Sequence, residues 1–168
     1  FGKAKNHEFL IDFFNYYLMS NPETILILCG DGPERSNIEK KINNYGINEN
    51  VKLLGTIDNV NEWLMASDMM LVTSFYEGLP LVCVEAQATG CPMVVSDAVP
   101  DEVIFNKNVS KCNKWDYELW KNCIEKAKKV KLNRKKAYLN CLDANYDIIN
   151  EAEKLKKIYL KLYRRNKK

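Results

Sequence analysis

Two patterns of apolar residues alternate along most of this chain. Short continuous apolar runs are typical of parallel strands that helices cover on both faces. Such runs occur at residues 24–29, 51–54, 69–73 and 92–96. The segments before and between these runs place apolar residues at helical spacing. The first predicted helix begins at a capping Asn6 and stops before Pro22. This alternation predicts an α/β fold with a Rossmann-like parallel sheet flanked by helices.

The last third of the chain is predicted to be helical. A short edge strand near 109–111 is followed by amphipathic segments at 115–130, 134–145 and 147–168. The last segment ends in a basic tail made of Lys154, Lys156, Lys157, Lys161, Arg164, Arg165, Lys167 and Lys168. Such a helix can contact an anionic membrane surface peripherally. The alternative, which this composition favours, is a solvated charged face.

The stretch 69–90 predicts a strand, a tight loop and a short helix. Gly78 ends the strand and Pro80 suits the first helical position, because its fixed φ fits there and its missing N–H has no acceptor to lose. Gly90 ends the helix at a position that favours left-handed backbone. This arrangement places Glu77 in the loop and Glu85 in the second helical turn.

The start of this helix is a candidate anion site, because it offers free N–H groups and the positive end of the helix dipole. The helical rise and a short turn put the Glu77 and Glu85 carboxylates about 10 Å apart. A nucleotide-sugar fits that spacing, with its sugar at Glu77, its ribose at Glu85 and its pyrophosphate over the backbone of 78–81. The alternative fits the spacing equally well: Glu77 is a solvated carboxylate in a loop, and Glu85 is a carboxylate on the surface of the helix.

The same residues carry a resemblance to a known family. Glu77-x7-Glu85 lies in the run Tyr-Glu-Gly-Leu-Pro-Leu-Val-Cys-Val-Glu-Ala-Gln-Ala-Thr-Gly-Cys-Pro-Met-Val, residues 76–94. This run resembles the signature of the retaining glycosyltransferases of family 4 (glycosyl transferases group 1), in particular the branch of capsular and exopolysaccharide assembly. The resemblance implies the GT-B architecture and the C-terminal, donor-binding half of it. It extends from about Lys5 to the last helix.

The resemblance also implies roles for individual residues. Glu77 is the expected catalytic residue that holds the transferring sugar, Glu85 holds the ribose, and Lys5 meets the phosphates of the donor. The complete implied donor-binding set is Lys5, Gly30, Gly32, Gly55, Thr56, Glu77, Gly78, Leu79, Pro80, Leu81 and Glu85. A nucleotide-diphosphate-sugar donor and a glycan or lipid-linked acceptor follow as the expected partners.

The chain departs from the family at its beginning. The family's first strand, which ends in Gly-Arg and is central in a doubly wound sheet, has no counterpart before Lys5. We therefore expect a single donor-binding domain, 1–168, with its first strand and the N-terminal acceptor domain absent. Its last helix, 147–168, is expected to be the family's crossover helix. We also expect the isolated chain to lack transferase activity.

Composition narrows the chemistry further. A net charge of +3 is too small to indicate nucleic acid binding. Six cysteines without a Cys-x-x-Cys motif, together with one histidine, disfavour structural zinc and favour reduced thiols in the cytoplasm. No Asp-x-Asp pair occurs, so no metal cofactor is expected. Two alternatives stay open: a non-catalytic nucleotide-binding or interaction module, and a GT-B-like sugar-nucleotide epimerase or phosphorylase.

Overall fold

The computed structural model describes residues 1–165 as an α/β arrangement of parallel strands and flanking helices. The strands are β1 (Leu26–Cys29), β2 (Val51–Gly55), β3 (Met70–Val72), β4 (Met93–Ser96) and β5 (Val109–Cys112). The helices are α1 (His7–Leu18), α2 (Arg35–Tyr45), α3 (Val60–Ala66), α4 (Leu81–Thr89), α5 (Tyr117–Lys129), α6 (Arg134–Asp143) and α7 (Ile148–Arg165). Lys167 and Lys168 of the predicted basic tail lie outside the described residues. The predicted fold class is confirmed.

The parallel strands form two sheets. β1 pairs with β2, with Leu26 opposite Val51, and β3, β4 and β5 form the other sheet in that order. Within residues 1–165, no strand connects β1 to β3. The strands of the described residues therefore belong to two separate parallel sheets.

Helix α1 joins the two halves of the core. Its Phe14 packs in one cluster with Ile38 of α2, while its Phe13 packs in another with Trp120 of α5. A third cluster lies under α3, α4 and α6 and surrounds the fully buried β4. The apolar stripe of α1 is therefore wide enough to pack against helices that flank both sheets.

Strand β1 differs from the expectation that both of its faces are covered. Only Leu28 is buried, and Cys29 at the end of the strand is exposed. The physical reason is that β1 has a neighbouring strand on one side only, whereas β4 has neighbours on both sides and is buried along its whole length. An apolar run indicates that a strand can be buried, and the adjoining strands determine how much of it is buried.

The ends of the helices follow local rules. The Asn6 side chain accepts a hydrogen bond from the Phe9 N–H and caps α1, as predicted. Gly46 and Gly90 end α2 and α4 in left-handed conformation. Pro80 is a correction: its ψ of 93° is extended, so it is the N-cap residue of α4, and Leu81 takes the first helical position.

Helix α7 lies apart from the core, with no buried residue among its 18 positions. Its apolar side chains Leu155, Tyr159 and Leu162 share one face and are all at least half exposed. The prediction of a long amphipathic helix at the end of the chain is confirmed within 148–165. No helix of the described residues has the length and apolar character needed to span a membrane.

Candidate functional site

The loop that follows β3 is tied to the beginning of the chain. Thr73 Oγ1 donates to the Lys5 carbonyl oxygen at 2.9 Å, and the Phe75 N–H donates to the Ala4 carbonyl oxygen at 2.8 Å. Thr73 is buried, so its hydrogen bond is shielded from water. Both hydrogen bonds fix the short 3₁₀ turn Lys3–Lys5 against the loop that carries Glu77.

Glu77 accepts three side-chain hydrogen bonds. Lys5 Nζ lies 2.8 Å from Oε1 and 3.1 Å from Oε2, and Ser74 Oγ lies 2.5 Å from Oε1. The Glu77 side chain is only 8% exposed, whereas that of Lys5 is 51% exposed. Ser74 is held in turn, because Ser96 Oγ donates to its carbonyl oxygen at 2.6 Å. Glu77 is therefore a nearly buried carboxylate with a solvent-facing cationic partner.

The amino end of α4 is open. Gly78 and Leu79 are exposed, and the Pro80 side chain provides no cap. The first amides of an α-helix have no acceptor within the helix. In α4 the Cys83 N–H donates to the Pro80 carbonyl oxygen at 2.9 Å, so the amides of Leu81 and Val82 are the candidates for an anion. Glu85, one turn further along α4, is exposed. The structure thus places Lys5, Glu77 and the helix start together and leaves Glu85 free on the helix surface.

The glycine loops after β1 and β2 contact each other. Gly30 N–H donates to the Gly55 carbonyl oxygen at 2.6 Å, and both residues have left-handed φ values, 113° and 70°. A side chain at either position would be strained. Thr56, next to Gly55, is exposed. These loops follow the carboxyl ends of parallel strands, the edge at which α/β proteins bind ligands.

Gly32 has a packing role that the sequence did not indicate. A Cβ atom at this position would lie 2.3 Å from the Phe1 backbone nitrogen and 2.6 Å from its carbonyl oxygen. The backbone of Phe1 thus excludes a side chain at position 32. This packing reason for a glycine is separate from its predicted contact with a donor.

Sequence reasoning missed two polar residues of the site. Ser74 holds Glu77, but a serine after a strand is too common to indicate this contact. Arg35 begins α2, and one of its guanidinium nitrogens lies 4.0 Å from the position that a Gly55 Cβ would take. It pairs with Asp31 at 3.4 Å and Glu39 at 2.8 Å. A cation two positions after the Gly-Asp-Gly-Pro run, residues 30–33, was a detectable signal.

His7, in the first turn of α1, has an unusual environment. Its Nδ1 atom is buried and has no hydrogen-bond partner among the described residues. Burial, followed by the positive charges of the chain terminus and Lys5, lowers the pKa of His7 to about 4. The imidazole is therefore neutral at pH 7.

The chain's order of elements and this site agree with a known family. The family described as glycosyl transferases group 1 matches residues 1–140. The chain belongs to that family. The recognition made from the Glu77-x7-Glu85 run is therefore confirmed.

Two relatives of this chain are glycosyltransferases by name. The chain is 36% identical over 103 residues to putative glycosyltransferase EpsF of Bacillus subtilis, covering 61% of this chain and 27% of EpsF. It is 29% identical over 169 residues to the capsular polysaccharide biosynthesis glycosyltransferase CapH of Staphylococcus aureus, covering 95% of this chain and 45% of CapH. The chain thus spans less than half the length of either relative.

Solved structures confirm the fold. Sucrose-phosphate synthase of Thermosynechococcus elongatus superposes with a TM-score of 0.78 at 21% identity, covering 96% of this chain and 43% of that enzyme. Anabaena HepE, crystallised with UDP and glucose, gives a TM-score of 0.74 at 20% identity and covers 96% and 46%. At this identity the likeness concerns the fold, which is that of the GT-B glycosyltransferases.

Proposed function

We propose that this chain is the donor-binding half of a retaining glycosyltransferase. The enzyme would move a hexose-type sugar from a nucleotide-diphosphate-sugar to a glycan or lipid-linked acceptor in surface polysaccharide biosynthesis. The observation that carries the proposal is the contact of Lys5 with Glu77 beside the open amino end of α4. The name of CapH supports the pathway, that of EpsF supports glycosyl transfer, and the complex of HepE with UDP and glucose supports a UDP-type donor.

The chemistry follows from charge. As the sugar–phosphate bond breaks, negative charge develops on the leaving diphosphate. Lys5 and the first amides of α4 supply fixed positive potential there, a preorganised form of transition-state stabilisation. When Lys5 turns toward the diphosphate, Glu77 loses one donor and can accept hydrogen bonds from sugar hydroxyls. Ser74 keeps the carboxylate in place during this exchange.

The other predicted residues complete the donor site in this proposal. Gly78, Leu79, Pro80 and Leu81 bring the backbone close to the pyrophosphate, and Glu85 binds the ribose. Gly30, Gly32, Gly55 and Thr56 lie at the carboxyl edge of β1 and β2, on the side of the base. No metal cofactor takes part, because lysine and helix dipole provide the positive charge. Residues 1–168 form one donor domain, and the acceptor site belongs to a separate domain.

The cellular setting is part of the same proposal. We place the enzyme in the cytoplasm, where nucleotide-sugars are available, at the inner face of the cell membrane. Helix α7 supports peripheral contact, since its basic side chains Lys157, Lys161 and Arg164 lie opposite its exposed apolar face.

The test is thermal unfolding against UDP, GDP, ADP and their sugar conjugates. A ligand at about 100 times its Kd adds about 2.7 kcal/mol of stability. We expect one nucleotide family to stabilise the chain, and Glu85→Ala to remove that effect. Glu49→Ala, an exposed glutamate in the turn before β2, is the matched control. Equal stabilisation of Glu85→Ala and Glu49→Ala would contradict the assignment of Glu85.

A further inference from the structure

Two exposed aromatic rings lie in contact beside the loop that carries Glu77. The ring centroids of Phe75 and Trp115 are 5.3 Å apart, and the side chains are 54% and 42% exposed. We call these two rings the aromatic platform. Phe75 follows the end of β3 by three positions, and Trp115 follows the end of β5 by three positions. The aromatic platform therefore lies at the carboxyl edge of the three-stranded sheet, the edge at which α/β proteins bind ligands.

Buried groups hold the aromatic platform in one orientation. The Trp115 ring packs against Phe9 of α1 at 5.0 Å and stacks with the fully buried Trp120 of α5 at 6.1 Å. The Trp120 indole N–H donates to the Lys114 carbonyl oxygen at 3.0 Å, which fixes the backbone next to Trp115. An exposed ring that is already fixed loses little conformational entropy when it binds a ligand.

The aromatic platform combines an apolar face with an unused hydrogen-bond donor. Among residues 1–165, the Trp115 indole N–H has no acceptor. An indole donates one hydrogen bond from its edge, while its face is apolar. A sugar ring has the complementary surface, because its C–H groups form an apolar face and its hydroxyl groups surround that face. One sugar ring can therefore stack on the platform and accept a hydrogen bond from Trp115.

The size of the aromatic platform also favours a small ligand. Two aromatic side chains of about 200 Å² each, about half exposed, offer on the order of 200 Å². A stable protein interface needs about 800 Å² from each partner. One sugar ring covers an area of the platform's order, whereas a protein partner would need a much larger surface.

The position of the aromatic platform indicates which sugar it binds. Glu77, two positions after Phe75, is proposed to hold the transferring sugar. Transfer requires the attacking oxygen to come within about 3–3.5 Å of the reacting carbon of that sugar. The ring that carries this oxygen must therefore lie directly beside the sugar at Glu77.

We propose that the aromatic platform binds the pyranose ring of the acceptor glycan, next to the sugar that Glu77 holds. This inference rests on the proposed function, and it extends the acceptor site of the separate domain onto this chain. Phe75 and Trp115 bind the apolar face of the acceptor ring, and the Trp115 indole N–H donates to one of its hydroxyl groups.

An NMR titration of the full chain tests this proposal through the indole N–H signals of its three tryptophans. The titrants are the methyl glycosides of glucose, galactose and N-acetylglucosamine. We expect at least one of them to shift the Trp115 signal with a Kd in about the millimolar range. Trp63 of α3, which has no ring contact with the platform, is the internal reference. A nucleoside diphosphate bound at the same time should leave the shift intact, because the acceptor and the leaving group occupy different positions.

A pair of variants measures the contribution of the aromatic platform. Phe75→Ala should weaken glycoside binding about fivefold, the change in Kd that corresponds to about 1 kcal/mol. Tyr138→Ala is the matched control, because Tyr138 is a similarly exposed aromatic residue on α6, and it should leave the Kd unchanged. The signal of the buried Trp120 reports whether each variant is folded.

The outcomes separate this inference from the proposed function. If a nucleotide stabilises the chain but no glycoside shifts the Trp115 signal, only the inference fails. If the nucleotide-sugar that stabilises the chain displaces the glycoside, the aromatic platform binds the transferred sugar, and the acceptor assignment is wrong. A shift with phosphatidylglycerol vesicles and with none of the glycosides would make the platform a membrane contact and refute the inference. Glycoside binding without any effect of nucleotides would overturn the proposed function, and with it the assignment of the bound ring as an acceptor.

Discussion

Removal of the Lys5 side chain should destabilise the fold through Glu77. In the Lys5→Ala variant the Glu77 carboxylate, 8% exposed, keeps only the Ser74 hydroxyl as a side-chain donor. Breaking a fully buried ion pair costs about 3–5 kcal/mol. Lys5 is half exposed, and solvent screens the pair, so we expect a loss of about 1–2 kcal/mol in the free energy of unfolding.

Urea denaturation of four variants measures this loss. Lys3→Ala is the matched control, because Lys3 is an exposed lysine in the same 3₁₀ turn. Glu77→Gln removes the charge but keeps hydrogen bonding to Ser74, and the double variant closes a thermodynamic cycle with Lys5→Ala. We expect a coupling energy of about 1 kcal/mol between Lys5 and Glu77. If Lys5→Ala and Lys3→Ala are equally stable and the cycle shows no coupling energy, the contact between Lys5 and Glu77 does not stabilise the fold.

The same variants separate structure from ligand binding. Lys5→Ala should weaken stabilisation by a nucleoside diphosphate, because the lysine is proposed to meet the phosphates. Glu77→Gln should leave stabilisation by the diphosphate unchanged and weaken only the extra effect of the sugar conjugate. If both variants lose both effects equally, Lys5 and Glu77 act as one structural unit, and their separate roles in the donor site are wrong.

Three further predictions concern other parts of the chain. The pKa of His7 is lowered to about 4, so between pH 6.5 and 4 the unfolded chain binds a proton that the folded chain does not. The free energy of unfolding should therefore fall by roughly 2 kcal/mol as the pH decreases through this window. His7→Gln should flatten the dependence of the free energy of unfolding on pH. Gly32→Ala should cost about 2 kcal/mol in urea denaturation because of its close approach to Phe1, whereas Gly2→Ala, with open space around it, should be neutral. The isolated chain should show no transfer of sugar to any glycan acceptor in a product assay, and measurable turnover would contradict the two-domain proposal.

Local features were predictable from the sequence. Asn6 and Gly90 lie at helix ends whose geometry depends on the residue and its nearest neighbours, and the structure confirms both predictions. The four apolar runs located β1, β2, β3 and β4 to within two residues for the same reason. Pro80 shows the limit of such rules, because its fixed φ is compatible with both the first helical position and the N-cap.

Long-range contacts were not predictable from local pattern. Lys5 and Glu77 are 72 positions apart, and only the family resemblance drew attention to both. Ser74 contributes through a rotamer that no sequence pattern indicates. The incomplete burial of β1 depends on which strands adjoin it. Each of these properties depends on the topology of the whole sheet, which hydrophobic periodicity does not encode.

The short stretch before α1 connects the loops that follow β1 and β3. The Phe1 carbonyl oxygen accepts a hydrogen bond from the Glu34 N–H, in the loop after β1. Thr73, directly after β3, donates to the Lys5 carbonyl oxygen, and the Lys5 side chain pairs with Glu77. Because both loops hold this stretch through its backbone, the position of the Lys5 side chain depends on the relative position of the two loops. A change in either loop should therefore alter the contact between Lys5 and Glu77, even where neither residue is replaced.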